Sequence, residues 1–424
     1  MIFLAGSRLC ADQPPAVTWS VKIMKDIKLS FKIGAEPFYA VSAKGGRRTL
    51  EIQYFDGILT FSAQYDYDRR PLEMRCETSV GGAVEVILMP HRIELYLNGV
   101  IMDEEWPAGE RLFELGDGFA FGEGITAERF ERNERLAPTV LGEIGSAEGW
   151  YPGNGVCVGD CMPYLRDGEY HVLYLKDRHR HGSKWGLGAH QWEHISTSDF
   201  KRWKIHPMAV PITEPWEGSI CTGSWIRDEG TEYLYYTVRR GRGIPAPICR
   251  SVSLDGYHFE KDKKFGFTVS ERYHAASARD PKVVKGTDGL FHMLLTTSLV
   301  KEGRGCLAHY VSSDMERWQE MAEPIYIAPD KAQPECPDYL EYGGRYYLVF
   351  SLHGRARYMV SDRPFEGFRE PESSDIPCES VPKGAIWGDR IVFAGFRGIK
   401  GYDGSMTFKA ARAAENGELI FEEL

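Results

Sequence analysis

The stretch Arg279–Ser298, RDPKVVKGTDGLFHMLLTTS, shows the plan on which most of this chain is built. It has an acidic residue, Asp280, next to its start and continues through a Gly/Asp turn into an apolar run rich in β-branched and aromatic residues. Two other stretches place an acid at the corresponding position: Asp160 in GVCVGDCMPY and Glu335 in QPECPDYLEY. The repeat therefore predicts equivalent structural units, each of which begins with a carboxylate.

Five units follow this plan, because CTGSWIRDEGTEYLYYTV and KGAIWGDRIVFAGF share it without the acid. A second element, a strand followed by Ser with Asp and an aromatic residue, recurs after most of them; its aspartates are Asp199, Asp255, Asp314 and Asp362. Their spacing of roughly 50 to 60 residues is near the period of propeller blades. We therefore predict an all-β fold containing a five-bladed β-propeller, whose innermost strands surround a channel and bring the three acids together.

The pattern before the propeller is different. From about Ile27 to Phe121, strands alternate with Gly, Asp, Asn and Pro turns, which is typical of a β-sandwich, and HRIELYLNGVIMDEEW resembles a hairpin of concanavalin-like or laminin-G-like sandwiches. Charged and then Pro/Gly-rich residues from Ile125 to Tyr151 predict a short helix and a linker. The expected domains are an N-terminal sandwich over residues 1–140, a linker to about residue 150, and a catalytic propeller over residues 151–424.

The composition argues against several classes of function. A net charge of −10 disfavours a nucleic-acid-binding surface, which needs a basic face. The sequence has no apolar run long enough to span a bilayer, and MIFLAG is too short for the hydrophobic region of a signal peptide. The nine cysteines are odd in number and scattered, as expected for reduced thiols. We expect a cytoplasmic protein, or a secreted one whose signal peptide has been removed, acting on a small molecule or oligosaccharide without nucleic-acid or membrane partners.

Three converging carboxylates suit the hydrolysis of a glycosidic bond. One can attack the anomeric carbon or activate water, another can donate a proton, and the transition state is cationic. A single Asp at the start of a strand has a simpler interpretation, the capping of a turn through backbone hydrogen bonds. We expect that capping role for the repeated Ser-Asp elements.

The propeller region resembles glycoside hydrolase family 32, the β-fructofuranosidases, in motifs that follow the family's order. Arg279–Pro281 (RDP) is similar to its Arg-Asp-Pro triplet, and Glu335–Asp338 (ECPD) to its Glu-Cys-Pro-Asp run. Trp192 and His194 resemble the Trp-Gly-His segment of the first blade, and Thr222–Ser224 (TGS) the Ser-Gly-Ser of the second. The resemblance implies a five-bladed propeller joined to a β-sandwich, although the family's sandwich follows the propeller and the predicted one precedes it.

The resemblance also implies roles for the three acids. Asp160 corresponds to the nucleophile, Glu335 to the general acid and base, and Asp280 to the stabiliser of the transition state. A retaining mechanism needs one reacting carboxyl ionised and the other protonated. Arg279 is expected to keep Asp280 ionised, and Cys336 to help set the pKa of Glu335.

The chain departs from the family where the sugar is recognised. The first family motif, Trp-Met-Asn-Asp-Pro-Asn-Gly, is replaced by Cys157–Pro163 (CVGDCMP), and Leu175 stands where the family has a sugar-binding Gln. Because the missing amides would bind fructose hydroxyls, we expect sucrose to be a poor substrate. Asp177, Arg178 and His179 follow the first inner strands and are expected at the channel mouth, where they could bind an anionic group such as a sugar phosphate. The candidate substrate-binding residues are Arg279, Cys336, Trp192, His194, Asp177, Arg178, His179, Ser224 and Trp387.

No cofactor or metal is predicted. The loop KDRHRHGSKWGLGAHQWEH holds His179, His181, His190 and His194, but zinc sites need tighter spacing or a carboxylate partner on the same face, so a solvated basic loop is expected. Two other functions stay open at this point. One is an inverting family 43-like arabinofuranosidase or xylosidase, which is also a five-bladed propeller with three acids. The other is a non-catalytic carbohydrate-binding propeller that keeps the acids as hydrogen-bond acceptors.

Overall fold

The computed structural model has an all-β fold, which confirms the predicted fold class. It describes residues 26–44, 48–65, 72–78, 81–89, 92–105, 124–130, 139–143, 150, 156–178, 190–212, 216–240, 243–397 and 405–424. Within these residues the single helical element is a 3-10 turn, Ala275–Ser277. The described part of the chain forms no helix long and apolar enough to cross a membrane.

The first nine strands form a β-sandwich of two antiparallel sheets. They are β1 (Asp26–Ile33), β2 (Phe38–Lys44), β3 (Arg48–Phe55), β4 (Ile58–Tyr65), β5 (Leu72–Glu77), β6 (Gly82–Met89), β7 (Arg92–Leu97), β8 (Val100–Glu105) and β9 (Thr126–Phe130). One sheet has the order β8-β7-β6-β1-β9, and the other has the order β2-β3-β4-β5. Apolar and polar residues alternate along β1, so that Leu29 and Phe31 enter a core shared by both sheets.

The short helix predicted after Ile125 is wrong in its described part. Thr126–Phe130 is a strand that pairs antiparallel with β1. Glu128 stands opposite Lys28 in this pairing, and their side chains form an ion pair of 2.8 Å. Pairing with β1 therefore overrides the helical preference of the Ala, Glu and Arg residues in the segment. Most of the predicted linker lies outside the described residues.

The remaining strands form five sheets, which are the five predicted blades. Blade 1 contains β10 (Thr139–Glu143), β11 (Val156–Arg166), β12 (Glu169–Arg178), β13 (Gln191–Thr197) and β14 (Arg202–Ile205). Blade 2 contains β15 (Ser219–Asp228), β16 (Thr231–Arg239), β17 (Ile248–Ser253) and β18 (Glu260–Lys261). Blade 3 contains β19 (Arg279–Lys285), β20 (Phe291–Ser298), β21 (Gly305–Ser312), β22 (Gln319–Glu320) and β23 (Tyr326–Ile327).

Blades 4 and 5 complete the ring. Blade 4 contains β24 (Glu335–Tyr342), β25 (Arg345–Leu352) and β26 (Arg355–Ser361), and blade 5 contains β27 (Lys383–Trp387), β28 (Arg390–Phe396), β29 (Met406–Ala413) and β30 (Leu419–Glu422). The inner strands β11, β15, β19, β24 and β27 pack against one another in sequence, and β11 returns to β27 and β28. The outermost strand of blade 1 is β10, which pairs with β14. Because β10 covers Thr139–Glu143, blade 1 includes residues before 151, the predicted start of the propeller domain.

Buried polar contacts connect neighbouring parts of the fold. The Tyr170 hydroxyl of blade 1 donates to the Val392 carbonyl of blade 5 at 2.9 Å. Arg166 of blade 1 pairs with the buried Glu232 of blade 2 at 2.7 Å. Lys176 on β12 contacts Glu104 on β8 of the sandwich, also at 2.7 Å. The last contact fixes the sandwich against the first blade.

The repeated Ser-Asp elements are turns, as the sequence predicts. In the third of them, Asp314 Oδ1 accepts hydrogen bonds from the backbone N–H groups of Glu316 and Arg317, each at 2.9 Å. The same pattern occurs at Asp199 and Asp255. These backbone hydrogen bonds hold the pKa of Asp314 well below its usual range because they favour the ionised carboxylate.

Replacing Asp314 by Ala should lower the melting temperature at pH 7 by about 2 °C or more, because the turn loses its acceptor. A carboxyl with a depressed pKa stabilises the fold above its unfolded-state pKa and loses that contribution as the pH falls. The difference between variant and wild type should therefore shrink below about pH 4, as thermal unfolding measured across pH would show.

Asp362→Ala is the matched control, because Asp362 pairs with the Arg345 side chain at the surface. It should change the melting temperature less. An equal loss in both variants, or a loss at Asp314 that does not depend on pH, would contradict the capping role.

Candidate active site

The structure brings the three predicted acids together. Asp160, Asp280 and Glu335 lie near the beginnings of β11, β19 and β24, the inner strands of blades 1, 3 and 4, and they line one small cavity. The complete lining is Asp160, Leu175, His190, Cys221, Thr222, Arg239, Arg279, Asp280, Glu335, Cys336 and Val381. The channel end of the propeller therefore collects three carboxylates from three different blades.

A β-bulge near the beginning of each of four inner strands aims the side chains into this cavity. Register shifts there leave Asp160, Thr222, Asp280 and Cys336 outside the regular pairing of β11, β15, β19 and β24. Asp280 and Cys336 have positive φ angles of 58° and 51°, which are uncommon for residues other than glycine. A bulge inserts an unpaired residue and bends the strand, so it can turn a side chain away from the blade core. The same device thus supplies two of the acids and two of their partners.

Asp160 is the most enclosed of the three acids, with 7% of its surface exposed. Its Oδ2 accepts hydrogen bonds from the Thr222 hydroxyl and, at 3.4 Å, from the Cys336 thiol. Burial raises the pKa of Asp160 to about 6, and the nearby Asp280 adds to the increase, whereas the Thr222 hydrogen bond opposes it. The carboxylate is therefore ionised at neutral pH and becomes protonated in mildly acidic solution.

Arg279 links the other two acids. Its Nη2 lies 2.7 Å from Glu335 Oε1, and its Nε lies 3.5 Å from Asp280 Oδ2. Glu335 is half-exposed at the cavity mouth, whereas Asp280 is buried. The guanidinium is held in place by the Ser277 carbonyl and the Gln333 side chain. The predicted pairing of Arg279 with Asp280 is present, but the closer ion pair is with Glu335.

Cys336 makes a contact that the sequence did not predict. Its thiol points to Asp160 and lowers the pKa of that carboxyl, and its backbone N–H donates to Asp280 Oδ2 at 3.1 Å. Cys336 lies in the bulge of β24 and has a positive φ, whereas Glu335 keeps its regular pairing with Ser351. Cys336 therefore connects Asp160 and Asp280.

A buried lysine that the sequence reasoning missed lies beneath the acids. Lys383, the first residue of β27, donates to the Gly223 carbonyl at 2.9 Å, and burial lowers its pKa. Asp338, the last residue of the ECPD run, pairs with Lys282 at 2.5 Å and accepts from the Gly384 N–H at 2.8 Å. Asp338 therefore connects blades 3, 4 and 5 and does not line the acidic cavity.

Four of the predicted substrate contacts lie elsewhere, and these predictions are corrected. Trp192 is fully buried between blades 1 and 2, where its Nε1 donates to the Cys221 carbonyl at 3.0 Å. His194 is fully buried among other histidines. The buried Ser224 hydroxyl donates to the Pro281 carbonyl at 2.9 Å and so joins blades 2 and 3. Trp387 ends β27 and packs against Phe200.

The remaining predictions concern the channel mouth. Asp177 and Arg178 end β12, but their side chains, and His179 as a whole, lie outside the described residues. Three residues that were not predicted as substrate contacts line the cavity, namely His190, Thr222 and Arg239. Thr222 could have been found from the sequence, because CTGS occupies the same place in the second unit as GDCM does in the first, which aligns Thr222 with Asp160. Arg239 ends a second strand, β16, and no motif marks it.

Comparisons with known proteins agree with this arrangement. Residues 161–366 match the model of the glycosyl hydrolases family 32 N-terminal domain, a match that includes Asp280 and Glu335 and begins one residue after Asp160. Over 221 residues the chain is 24% identical to a sucrose-6-phosphate hydrolase of Vibrio alginolyticus, which covers 50% of this chain and 41% of that protein. The chain thus spans about two fifths of the length of this curated relative.

Solved structures show the same fold. A variant of fructan 1-exohydrolase IIa from Cichorium intybus in complex with 1-kestose has a TM-score of 0.54 at 18% identity, over 68% of this chain and 61% of that chain. A family 43 β-xylosidase/α-arabinofuranosidase from a compost microbial metagenome has a TM-score of 0.50 at 14% identity, over 67% of this chain and 98% of that chain. At these identities the likeness concerns the fold alone. The family model, the curated relatives and the sandwich-and-propeller architecture together show that the chain has the β-fructofuranosidase-like fold of glycoside hydrolase family 32.

Proposed function

We propose that this chain is a retaining glycoside hydrolase that acts on a fructofuranoside or a related furanoside. The observation that carries the proposal is the meeting of Asp160, Asp280 and Glu335 in one cavity, with one acid enclosed and another at the mouth. The family 32 model match over residues 161–366 and the sucrose-6-phosphate hydrolase relative support the substrate class.

Asp160 is suited to attack the anomeric carbon. Both hydrogen bonds described for its carboxylate reach Oδ2, so Oδ1 is left to form the bond to the sugar. Thr222 and Cys336 fix the plane of the carboxylate and thereby prevent a loss of orientation before attack. Burial removes solvation from the anion, which raises its pKa to about 6 and its basicity with it.

Asp280 and Glu335 take the other two roles. Asp280 is buried and fixed by the Cys336 N–H, so its negative charge can stabilise a developing oxocarbenium ion without reorganisation. Glu335 is half-exposed and can exchange protons with solvent, as an acid for the leaving group and later as a base for water. Arg279, whose Nη2 lies 2.7 Å from Glu335 Oε1, orients this side chain at the mouth of the cavity.

The cavity wall indicates a sugar recognised differently from fructose in sucrose. Leu175 and Val381 contribute apolar surface, whereas Arg239 and His190 contribute nitrogen donors. A cationic side chain at the wall suits an anionic substituent such as a phosphate. The phosphorylated disaccharide named for the Vibrio alginolyticus relative is therefore one of the substrates to test.

Replacing Asp160 by Asn should abolish turnover, since an amide cannot form the covalent intermediate. In the wild-type enzyme, kcat/KM should fall about tenfold per pH unit below pH 6, because the nucleophile with a pKa of about 6 becomes protonated. Steady-state kinetics across pH would measure both effects. A wild-type activity that stays constant from pH 7 to pH 4 would contradict the role of Asp160.

Thermal unfolding supplies the control for that variant. A carboxyl with a raised pKa contributes stability below its unfolded-state pKa and loses it as the pH rises through the folded pKa of about 6. The variant avoids this loss, so at pH 7.5 it should be more stable than the wild type by up to about 3 kcal/mol, and by little at pH 4. Inactivity with unchanged or higher stability separates a chemical role from a folding defect.

Replacing Glu335 by Gln should affect substrates unequally. Aryl glycosides with good leaving groups need little protonation, so the formation of the glycosyl-enzyme should be spared, whereas natural substrates should lose about 100-fold or more in kcat/KM. Glu320→Gln, at a glutamate of the short outer strand β22, is a matched control and should leave both substrates unaffected. Equal losses on activated and natural substrates would exclude Glu335 as the acid.

Substrate preference follows from the apolar wall at Leu175. We expect the kcat/KM for sucrose to be at least about tenfold below that for the best substrate in a panel of sucrose 6-phosphate, inulin, levan, difructose anhydrides and aryl arabinofuranosides and xylosides. Product stereochemistry, followed by NMR, should show retention. Net inversion on an arabinoside or xyloside would favour the family 43-like function, and sugar binding without turnover would indicate a non-catalytic propeller.

A further inference from the structure

Three buried histidines meet in blade 1, away from the residues that line the acidic cavity. His171 lies on β12, His194 lies on β13, and His206 follows β14, so three neighbouring strands each contribute one ring. One ligand atom from each ring lies within 4.8 Å of the other two. The ring centroids of His194 and His206 are 4.4 Å apart, and those of His171 and His194 are 5.1 Å apart.

The hydrogen bonds fix the tautomer of His206. The Ser196 hydroxyl donates its proton to Glu169 Oε2 at 2.8 Å, since an ionised carboxylate can only accept. Ser196 Oγ lies 2.8 Å from His206 Nε2, so this nitrogen must be the donor and carry the proton. The Nδ1 of His206 then presents a lone pair, and this buried atom has no partner in the described structure.

Within the described residues, the hydrogen bonds of His194 likewise involve only one of its two ring nitrogens. Its Nε2 lies 2.9 Å from both the Tyr164 hydroxyl and His171 Nδ1. Its Nδ1 is buried and has no hydrogen-bond partner among the described residues. A buried N–H without an acceptor is costly, which favours the tautomer in which Nδ1 carries a lone pair instead.

All three rings are buried, which disfavours their charged form. Arg166 and Lys204 stand nearby, but each is paired with a glutamate, Glu232 and Glu169 respectively, so their charges are compensated. Neutral imidazole is the form in which histidine binds a metal. His194 and His206 each have a ring nitrogen without a partner among the described residues, whereas His171 must give up its hydrogen bond with His194 Nε2 to bind an ion.

A second histidine pair in the same fold shows what a satisfied arrangement looks like. In blade 3, His292 Nδ1 lies 2.9 Å from His309 Nε2, on the strands equivalent to β12 and β13. There the His292 Nε2 is 3.2 Å from the Asp288 carboxylate, and the ring stacks on Phe365 at 3.6 Å. At the position of His206, which bonds the His194 carbonyl through its backbone N–H, blade 3 has Met321, which bonds the His309 carbonyl in the same way, so the third histidine is particular to blade 1.

We propose that His171, His194 and His206 form a structural binding site for a divalent transition-metal ion of the Zn²⁺ type. Imidazole nitrogen suits zinc and its neighbours in the first transition row, and the Ser196–Glu169 relay orients His206 as an outer partner does in known metal sites. Tetrahedral zinc needs nitrogens about 3.3 Å apart, so the rings must move closer together when the ion binds. A water molecule can take the fourth position, or the Tyr164 hydroxyl can if it leaves His194 Nε2, which lies 2.9 Å from it.

The site would connect three strands of the blade that carries Asp160. Of the four loop histidines considered from the sequence, only His194 takes part. The other two members are 23 residues before it and 12 residues after it, a spacing without a recognisable zinc motif. Pairing of the strands brings these residues together.

Titration of the chelator-treated chain with Co²⁺ tests the proposal through visible d–d absorption, and metal analysis after dialysis against Zn²⁺ gives the stoichiometry. We expect one ion per chain and a rise in melting temperature of about 5 °C with saturating Zn²⁺. His206→Asn should lose the Co²⁺ spectrum and the Zn²⁺-dependent rise. His309→Asn in blade 3 and the double variant His179→Asn, His181→Asn should keep both.

Three results would overturn the proposal. They are a wild-type chain that takes up no Co²⁺, a His309→Asn variant that loses binding as completely as His206→Asn, and loss of the ion in the double variant, which would place it in the loop. If His206→Asn does not fold, electron paramagnetic resonance of the Cu²⁺-loaded wild type decides. Nitrogen hyperfine lines from three imidazoles that persist in the double variant support the site, and their absence refutes it.

Discussion

One extra residue near the start of four of the five inner strands is the feature on which the site depends. Inner strands of a propeller would otherwise alternate their side chains between two blade interfaces. The bulges at Asp160, Thr222, Asp280 and Cys336 interrupt that alternation at one level of the channel. Each of these residues is left out of the regular strand pairing, and its side chain turns into the cavity in the channel. The left-handed backbone at Asp280 and Cys336 is strain that the surrounding blades maintain.

Three carboxylates in one small cavity repel one another, so each needs a positive charge or hydrogen-bond donors close by. The fold supplies these partners unevenly. Arg279 approaches Asp280 and Glu335, whereas Asp160 receives hydrogen bonds from an uncharged hydroxyl and a thiol. The three acids therefore differ in environment although they arise at equivalent places in the repeat. Such separation of environments is what allows similar groups to act differently in one reaction.

The sequence predicted the fold and the three acids well, because both depend on repetition. An acid at the same place in successive units must arrive at the same place around the ring, whatever the details of packing. Trp192 and His194 could not be judged in this way, since they lie on β13 and their burial depends on which side of the blade each residue faces. The contact of Cys336 with Asp160 was not foreseen, because neither a bulge nor a positive φ is visible in the residue type. Thr126–Phe130 was misjudged because its partner strand lies about a hundred residues earlier.

The closure of the ring has a mechanical consequence. Within the described residues, blades 1 and 5 share no strand: β10 and β11 to β14 belong to the first sheet, and β27 to β30 to the last. A backbone bridge joins Trp150 to Met406, and the Tyr170 hydroxyl and the Cys161 thiol of blade 1 donate to the Val392 and Gly395 carbonyls of blade 5. The seam therefore lies directly beside β11, the strand that carries Asp160. Blades 1 and 5 share a buried hydrophobic core at this seam, so the position of the nucleophile depends on side-chain packing between two sheets as well as on the hydrogen bonds within each sheet.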